Sequence, residues 1–136
     1  MFSEEIKGML NDNSNDTRLL YIYSRTYRLK LSYLKVLNRE FKIMGLKVQS
    51  IKSVDLTLDS LNVIDNDIDV LIITEVSKLK LEQAGQDKLI LLVKRMYINN
   101  KKIVFTSDRV PDKLKNIDTR LINIFSLSKM IELKYN

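Results

Sequence analysis

Apolar residues in this chain fall into short unbroken runs, separated by stretches in which they recur every three or four positions. The first pattern predicts strands covered on both faces and the second predicts amphipathic helices. Leu19–Tyr23 (LLYIY), Val70–Ile73 (VLII) and Ile103–Thr106 (IVFT) are the unbroken runs, and Leu46–Ile51 and Met130–Leu133 read as two further strands. Helical spacing occurs over Phe2–Leu10, Leu29–Met44, Lys88–Ile98 and, more briefly, Asp118–Phe125. Asn11–Asp16 is a polar loop of side chains that hydrogen-bond their own backbone. Leu56–Asp67 is a weaker connection, with room for one helical turn.

At about 100° per residue, Leu34, Leu37, Phe41 and Met44 form the expected core stripe of the Leu29–Met44 helix. Arg28, Lys35, Arg39 and Lys42 lie roughly opposite, and Gly45 is placed to end the helix. Leu89, Leu92, Val93 and Met96 supply the apolar face of Lys88–Ile98, which Asn99 and Asn100 break. Strands alternating with helices over this length imply an α/β fold. The expected form is a three-layer domain with a mainly parallel five-stranded sheet and helices on both faces. Such sheets bind ligands at the carboxyl ends of their strands. That rule singles out Ser24–Arg28, Thr74-Glu75 and Ser107-Asp108-Arg109.

Composition narrows the chemistry. The 136 residues suit one domain, and there is no cysteine and no histidine. This removes thiol nucleophiles, the commonest metal ligand and the usual general base near neutral pH, so no metal site is expected. No apolar stretch approaches the ~18 residues of a membrane span, and a cytoplasmic chain without membrane contact is expected. A net charge of +6 favours polyanionic partners, although richness in Lys, Ile and Asn also follows from AT-rich coding.

Arg25, Arg28 and Lys30 crowd the loop after the first strand and read either as an anion or nucleic-acid contact or as a solvated basic loop. With Lys35 and Arg39 they make a candidate nucleic-acid patch, whose alternative is the wet face of an amphipathic helix. Tyr27 is expected to cover the core edge rather than to stack on a base. Glu75 is expected to be an ion-pair partner of Lys30, and Asp108-Arg109 a salt bridge closing a turn.

The quoted stretches also carry a resemblance. KKIVFTSDRVPDKLKNIDTRLINIF (101–125), IDVLIITEVSKL (68–79) and LLYIYSRTYRLKLSYL (19–34) resemble, in order, parts of one nucleotide-binding domain. It is that of the bacterial replication initiator DnaA and its relative Hda, of the AAA+ class. The resemblance implies a P-loop NTPase fold and a role in initiating chromosomal replication. Against it, the glycine positions of the P-loop fall on Ser24 and Leu29, and the Mg²⁺-binding hydroxyl falls on Leu31. The metal-ordering aspartate falls on Thr74, and the arginine finger on Ile124. Lys30, Glu75 and Arg120 keep the family's residue type, Arg120 as a candidate interface residue. The chain begins after the adenine-contacting segment and ends near Asn136, where the helical lid would start.

The expectation is a degenerate phosphate site (Ser24, Arg25, Arg28, Lys30, Thr74, Glu75, Asp108) without catalysis. ATP or ADP would be at most a residual ligand. The expected partner is DnaA or a related loader, with DNA as a further candidate.

Overall fold

The computed structural model describes residues 1–135; Asn136, where the lid was expected to begin, lies outside the described residues. The elements are α1 (Ser3–Asn11), β1 (Leu19–Tyr23), α2 (Tyr27–Ile43), β2 (Val48–Lys52), α3 (Leu58–Asn62), β3 (Val70–Thr74), α4 (Gln83–Ile98), β4 (Lys102–Ser107), α5 (Thr119–Leu127) and β5 (Lys129–Glu132). Single 3-10 turns lie at Ser53–Asp55, Val76–Lys78 and Pro111–Lys113. The five strands form one parallel sheet in the order β2-β3-β4-β1-β5. All the strand ends named above therefore share one edge. No helix among the described residues is long and apolar enough to cross a membrane.

Alternation along each strand explains the unbroken apolar runs. Tyr21, Leu71, Ile73, Ile103 and Phe105 point to the side covered by α3, α4 and α5. Leu20, Ile22, Val70, Ile72 and Val104 point to the side covered by α1 and α2. Each central strand thus feeds two cores, so its middle positions are apolar, and the polar residues Thr74, Thr106 and Ser107 fall at the carboxyl ends.

Two expectations are corrected. The core stripe of α2 is Leu29, Tyr33, Leu37 and Phe41, while Met44 is exposed. Helical side chains lean toward the N-terminus, so the buried face ends one turn before the helix does. There Gly45, at φ +80°, lets the Leu46 N–H reach the Phe41 carbonyl at 3.0 Å and the Gly45 N–H reach Lys42 at 3.0 Å.

Second, α4 begins at Gln83, not Lys88. Its polar first turns find partners that a linear pattern does not reveal. The Gln86 amide donates to the Leu81 carbonyl at 3.0 Å, and its oxygen accepts the Asp118 N–H at 2.8 Å. The helical turn expected in the weak connection before β3 is present as α3, opened by a capping box in which Thr57 and Ser60 satisfy each other's N–H groups.

Candidate functional site: the carboxyl end of the sheet

The connector after β1 sets the geometry of the site. In a glycine-rich loop the missing side chains let the backbone N–H groups approach and cradle phosphates. Here Ser24 Oγ accepts the Thr26 N–H at 3.0 Å and turns the chain straight into α2, which starts at Tyr27 instead of the expected Leu29. Lys30 therefore lies inside the helix, its N–H paired with the Thr26 carbonyl at 3.4 Å.

The Lys30 side chain points inward and is only 4% exposed. Its Nζ lies 2.8 Å from Glu75 Oε1 and donates to the Ser107 carbonyl at 3.3 Å. Tyr27 stands above it, with Nζ 5.9 Å from the ring centre. The ion pair expected from the sequence is thus present, whereas the placing of Lys30 in a surface nucleic-acid patch is corrected. A buried ammonium must keep its counter-charge, so it is drawn to Glu75 and the strand ends rather than to solvent. Tyr27 is corrected too: it is 57% exposed, because the early helix start turns its ring outward.

Glu75 is held from three sides. It adopts the left-handed conformation at φ 56°, which costs a non-glycine residue roughly 1–2 kcal/mol. Its N–H donates to Thr106 Oγ1 at 3.0 Å, and Ser53 Oγ donates to its carbonyl. Sequence reasoning passed over Ser53 because β2 was expected to end at Ile51. The signal was available, since Ser53 lies at the carboxyl end of a strand, just past β2, as Thr74 and Ser107 close β3 and β4.

The structure divides the predicted site residues into two groups. Lys30, Thr74 and Glu75 line a groove of about 270 Å³ between α2 and β2, together with Lys35, Lys52 and Thr106. Ser24, Arg25 and Asp108 line a separate hollow of about 560 Å³ at the ends of β1, β4 and β5, with Arg109, Lys113 and Lys134. Arg28 and Arg39 are exposed on α2, outside both cavities. Asp108 meets Arg109 at 2.8 Å, as expected for a turn-closing bridge, and the guanidinium holds the Asp108 carboxyl well below the usual carboxylate range.

Arg120 is engaged within the chain. It hydrogen-bonds Asp118 at 2.8 Å and also pairs with Asp87, tying the start of α5 to the start of α4. These bonds depress the Asp118 carboxyl and raise the guanidinium. Ile124 lies partly buried between α4 and α5.

A magnesium nucleotide needs a P-loop hydroxyl and a strand-end carboxylate as its two protein anchors for the metal. The residues present do not fit it. Leu31 is aliphatic and exposed, Thr74 offers one neutral hydroxyl, and the carboxylate of Glu75 is committed to Lys30. Among the described residues no three carboxylates stand together as a metal cage.

The family profile of the bacterial DnaA ATPase domain matches residues 4–132. The chromosomal replication initiator protein DnaA of Streptococcus thermophilus is 37% identical over 70 residues, a stretch covering 50% of this chain and 15% of that protein. The structure of a replication initiator DnaA bound to AMPPCP and single-stranded DNA superposes with a TM-score of 0.81 at 21% identity, covering 98% of this chain and 45% of that one. Domain III of the Thermotoga maritima replication initiation protein DnaA gives a TM-score of 0.76 at 23% identity, over 98% of this chain and 62% of that one. The chain thus spans less than two thirds of the length of each of these relatives. With the match running over nearly all of the sheet and its helices, this chain belongs to the bacterial DnaA ATPase domain family of AAA+ proteins.

Proposed function

We propose that this domain acts in initiation of chromosomal replication as a non-enzymatic regulator or scaffold. In this reading it works in the cytoplasm, through protein contacts with DnaA or a related loader. One observation carries the proposal: the ammonium that would meet phosphate is buried and bonded to Glu75 at 2.8 Å. The carboxylate that would serve catalysis is spent on the same bond. Leu31 and Thr74 at the metal-holding positions support it, and so does the connector, which has no glycine and enters α2 already at Tyr27. Ile124 at the finger position supports a blocking, capping or scaffolding subunit over one that stimulates hydrolysis in a neighbour.

Calorimetric titration with ATP and with ADP, with and without Mg²⁺, is the test. The expected result is no detectable heat and no phosphate release. Binding tighter than about 100 μM, equivalent to about −5.5 kcal/mol, would establish a surviving pocket and favour a nucleotide-sensing role.

A second reading rests on Arg25, Arg28, Lys35 and Arg39, which remain exposed on and before α2 after Lys30 is removed from the patch. As a nucleic-acid face they would lose log affinity at about 0.9 per neutralised phosphate as log salt rises. A gel shift across a salt series measures this slope, and a shift that is absent or insensitive to salt eliminates the face.

A further inference from the structure

At the opposite edge of the sheet, where the strands begin, α4 and α5 part and leave an apolar groove of about 420 Å³. Leu19, Val93 and Ile124 form its floor. Ile98 and Leu127 stand on its walls at 79% and 84% exposure, so two large aliphatic side chains at neighbouring helix ends extend the apolar surface of the groove. Lys94 and Lys129 sit on the rim. The rim's acidic group, Asp16, is neutralised within the chain: Arg18 bridges it at 2.9 Å, and the Tyr97 hydroxyl donates to it at 2.8 Å. Among the described residues neither rim lysine is ion-paired.

We infer that this groove docks an amphipathic helix of a partner protein, one that presents an apolar stripe flanked by acidic side chains. The floor and walls require large apolar anchors spaced along one face, which a helix supplies at every third or fourth residue. The two unpaired lysines require anionic flanks, since burying either ammonium without a counter-charge would oppose docking. The same charges argue against a second copy of this chain. A two-fold contact through the groove would bring the two lysine-bearing rims together, in a chain already at +6. The groove is at the far edge from Lys30, so its test stands apart from any reading of the nucleotide position.

The probe is a fluorescein-labelled designed helix of about 15 residues, long enough to run the length of such a groove. Leucine occupies its i, i+3, i+4 and i+7 positions and glutamate the flanks; a second peptide keeps the leucines and has lysine flanks. Anisotropy with the whole purified chain is expected to show binding of the acidic peptide and much weaker binding of the basic one. The paired change Ile98→Asp/Leu127→Asp is expected to weaken the acidic peptide about tenfold or more, as loss of central apolar anchors does. Lys94→Glu/Lys129→Glu is expected to reverse the preference between the peptides. Lys7→Glu/Lys42→Glu makes the same net-charge change on the other side of the sheet and is expected to leave binding unchanged. Equal binding of both peptides, or equal loss in the two charge-changed variants, would overturn the proposal, because attraction would then be general to a basic protein. Circular dichroism separates loss of binding from loss of fold, and unfolding of the aspartate variant leaves the two charge pairs to decide.

Discussion

Replacing Glu75 by glutamine is expected to cost the fold about 3–5 kcal/mol, the range found when one partner of a buried ion pair is removed. Lys30 is the reason. Its side chain is 4% exposed and that of Glu75 18%, so the ammonium cannot reach water while the carboxylate nearly can. Left alone, Lys30 would retain only the Ser107 carbonyl, at 3.3 Å. Lys30→Met is therefore expected to cost less than Glu75→Gln, because an orphaned Glu75 can turn toward the groove. The double change is expected to return within about 1 kcal/mol of the parent, since two neutral side chains of similar volume carry no desolvation cost. Urea denaturation of the four proteins measures this. Two small and additive single costs would mean that water screens the pair and that the groove is open to ligands.

Phe125→Ala is expected to cost about 3–5 kcal/mol, a large part of the roughly 5–15 kcal/mol by which a domain is stable. Phe125 is fully buried on α5 and packs edge-on to Phe105 at 4.7 Å and against Tyr21 at 5.5 Å. Those contacts fasten α5 to the two central strands, and alanine would leave a void among rings that cannot move without disturbing β1 and β4. Leu127, two residues on, is the contrast. It touches the groove and little else, so Leu127→Ala is expected to stay within about 0.5 kcal/mol. Thermal unfolding of both variants checks the pair of statements. Equal losses would mean that Leu127 is core after all and that the groove is no free surface.

These two residues also show how far the linear pattern reached. The periodicity around Phe125 predicted a helix and an apolar face, but Leu127 has the same chemistry on the same helix. Which of the two is buried depends on where α5 lies over β1 and β4. The same holds for Lys30 and Tyr27. Lys30 was expected both in an ion pair with Glu75 and in a surface basic patch, and Tyr27 over the core edge; the structure keeps the ion pair, buries Lys30 and exposes Tyr27. The register of α2 was set by Ser24 capping Thr26, a bond between side chain and backbone that apolar spacing does not encode.

By itself the sequence determined the succession of elements, because the middles of strands buried on both sides are apolar runs and amphipathic helices repeat with their own turn. It determined the parallel α/β architecture, which follows from helices intervening between strands, and the three strand ends where chemistry had to lie. It also determined the missing glycines and the missing metal ligands, since those are matters of residue type. Only the tertiary structure decided the order β2-β3-β4-β1-β5, the closing of Lys30 onto Glu75 and Ser107, the division of the predicted site into two cavities, and the groove between α4 and α5. Lys30 and the Ser107 carbonyl stand 77 positions apart in the chain. Contacts at that separation are chosen by how the two cores pack on the sheet, and no local spacing of residues carries that choice.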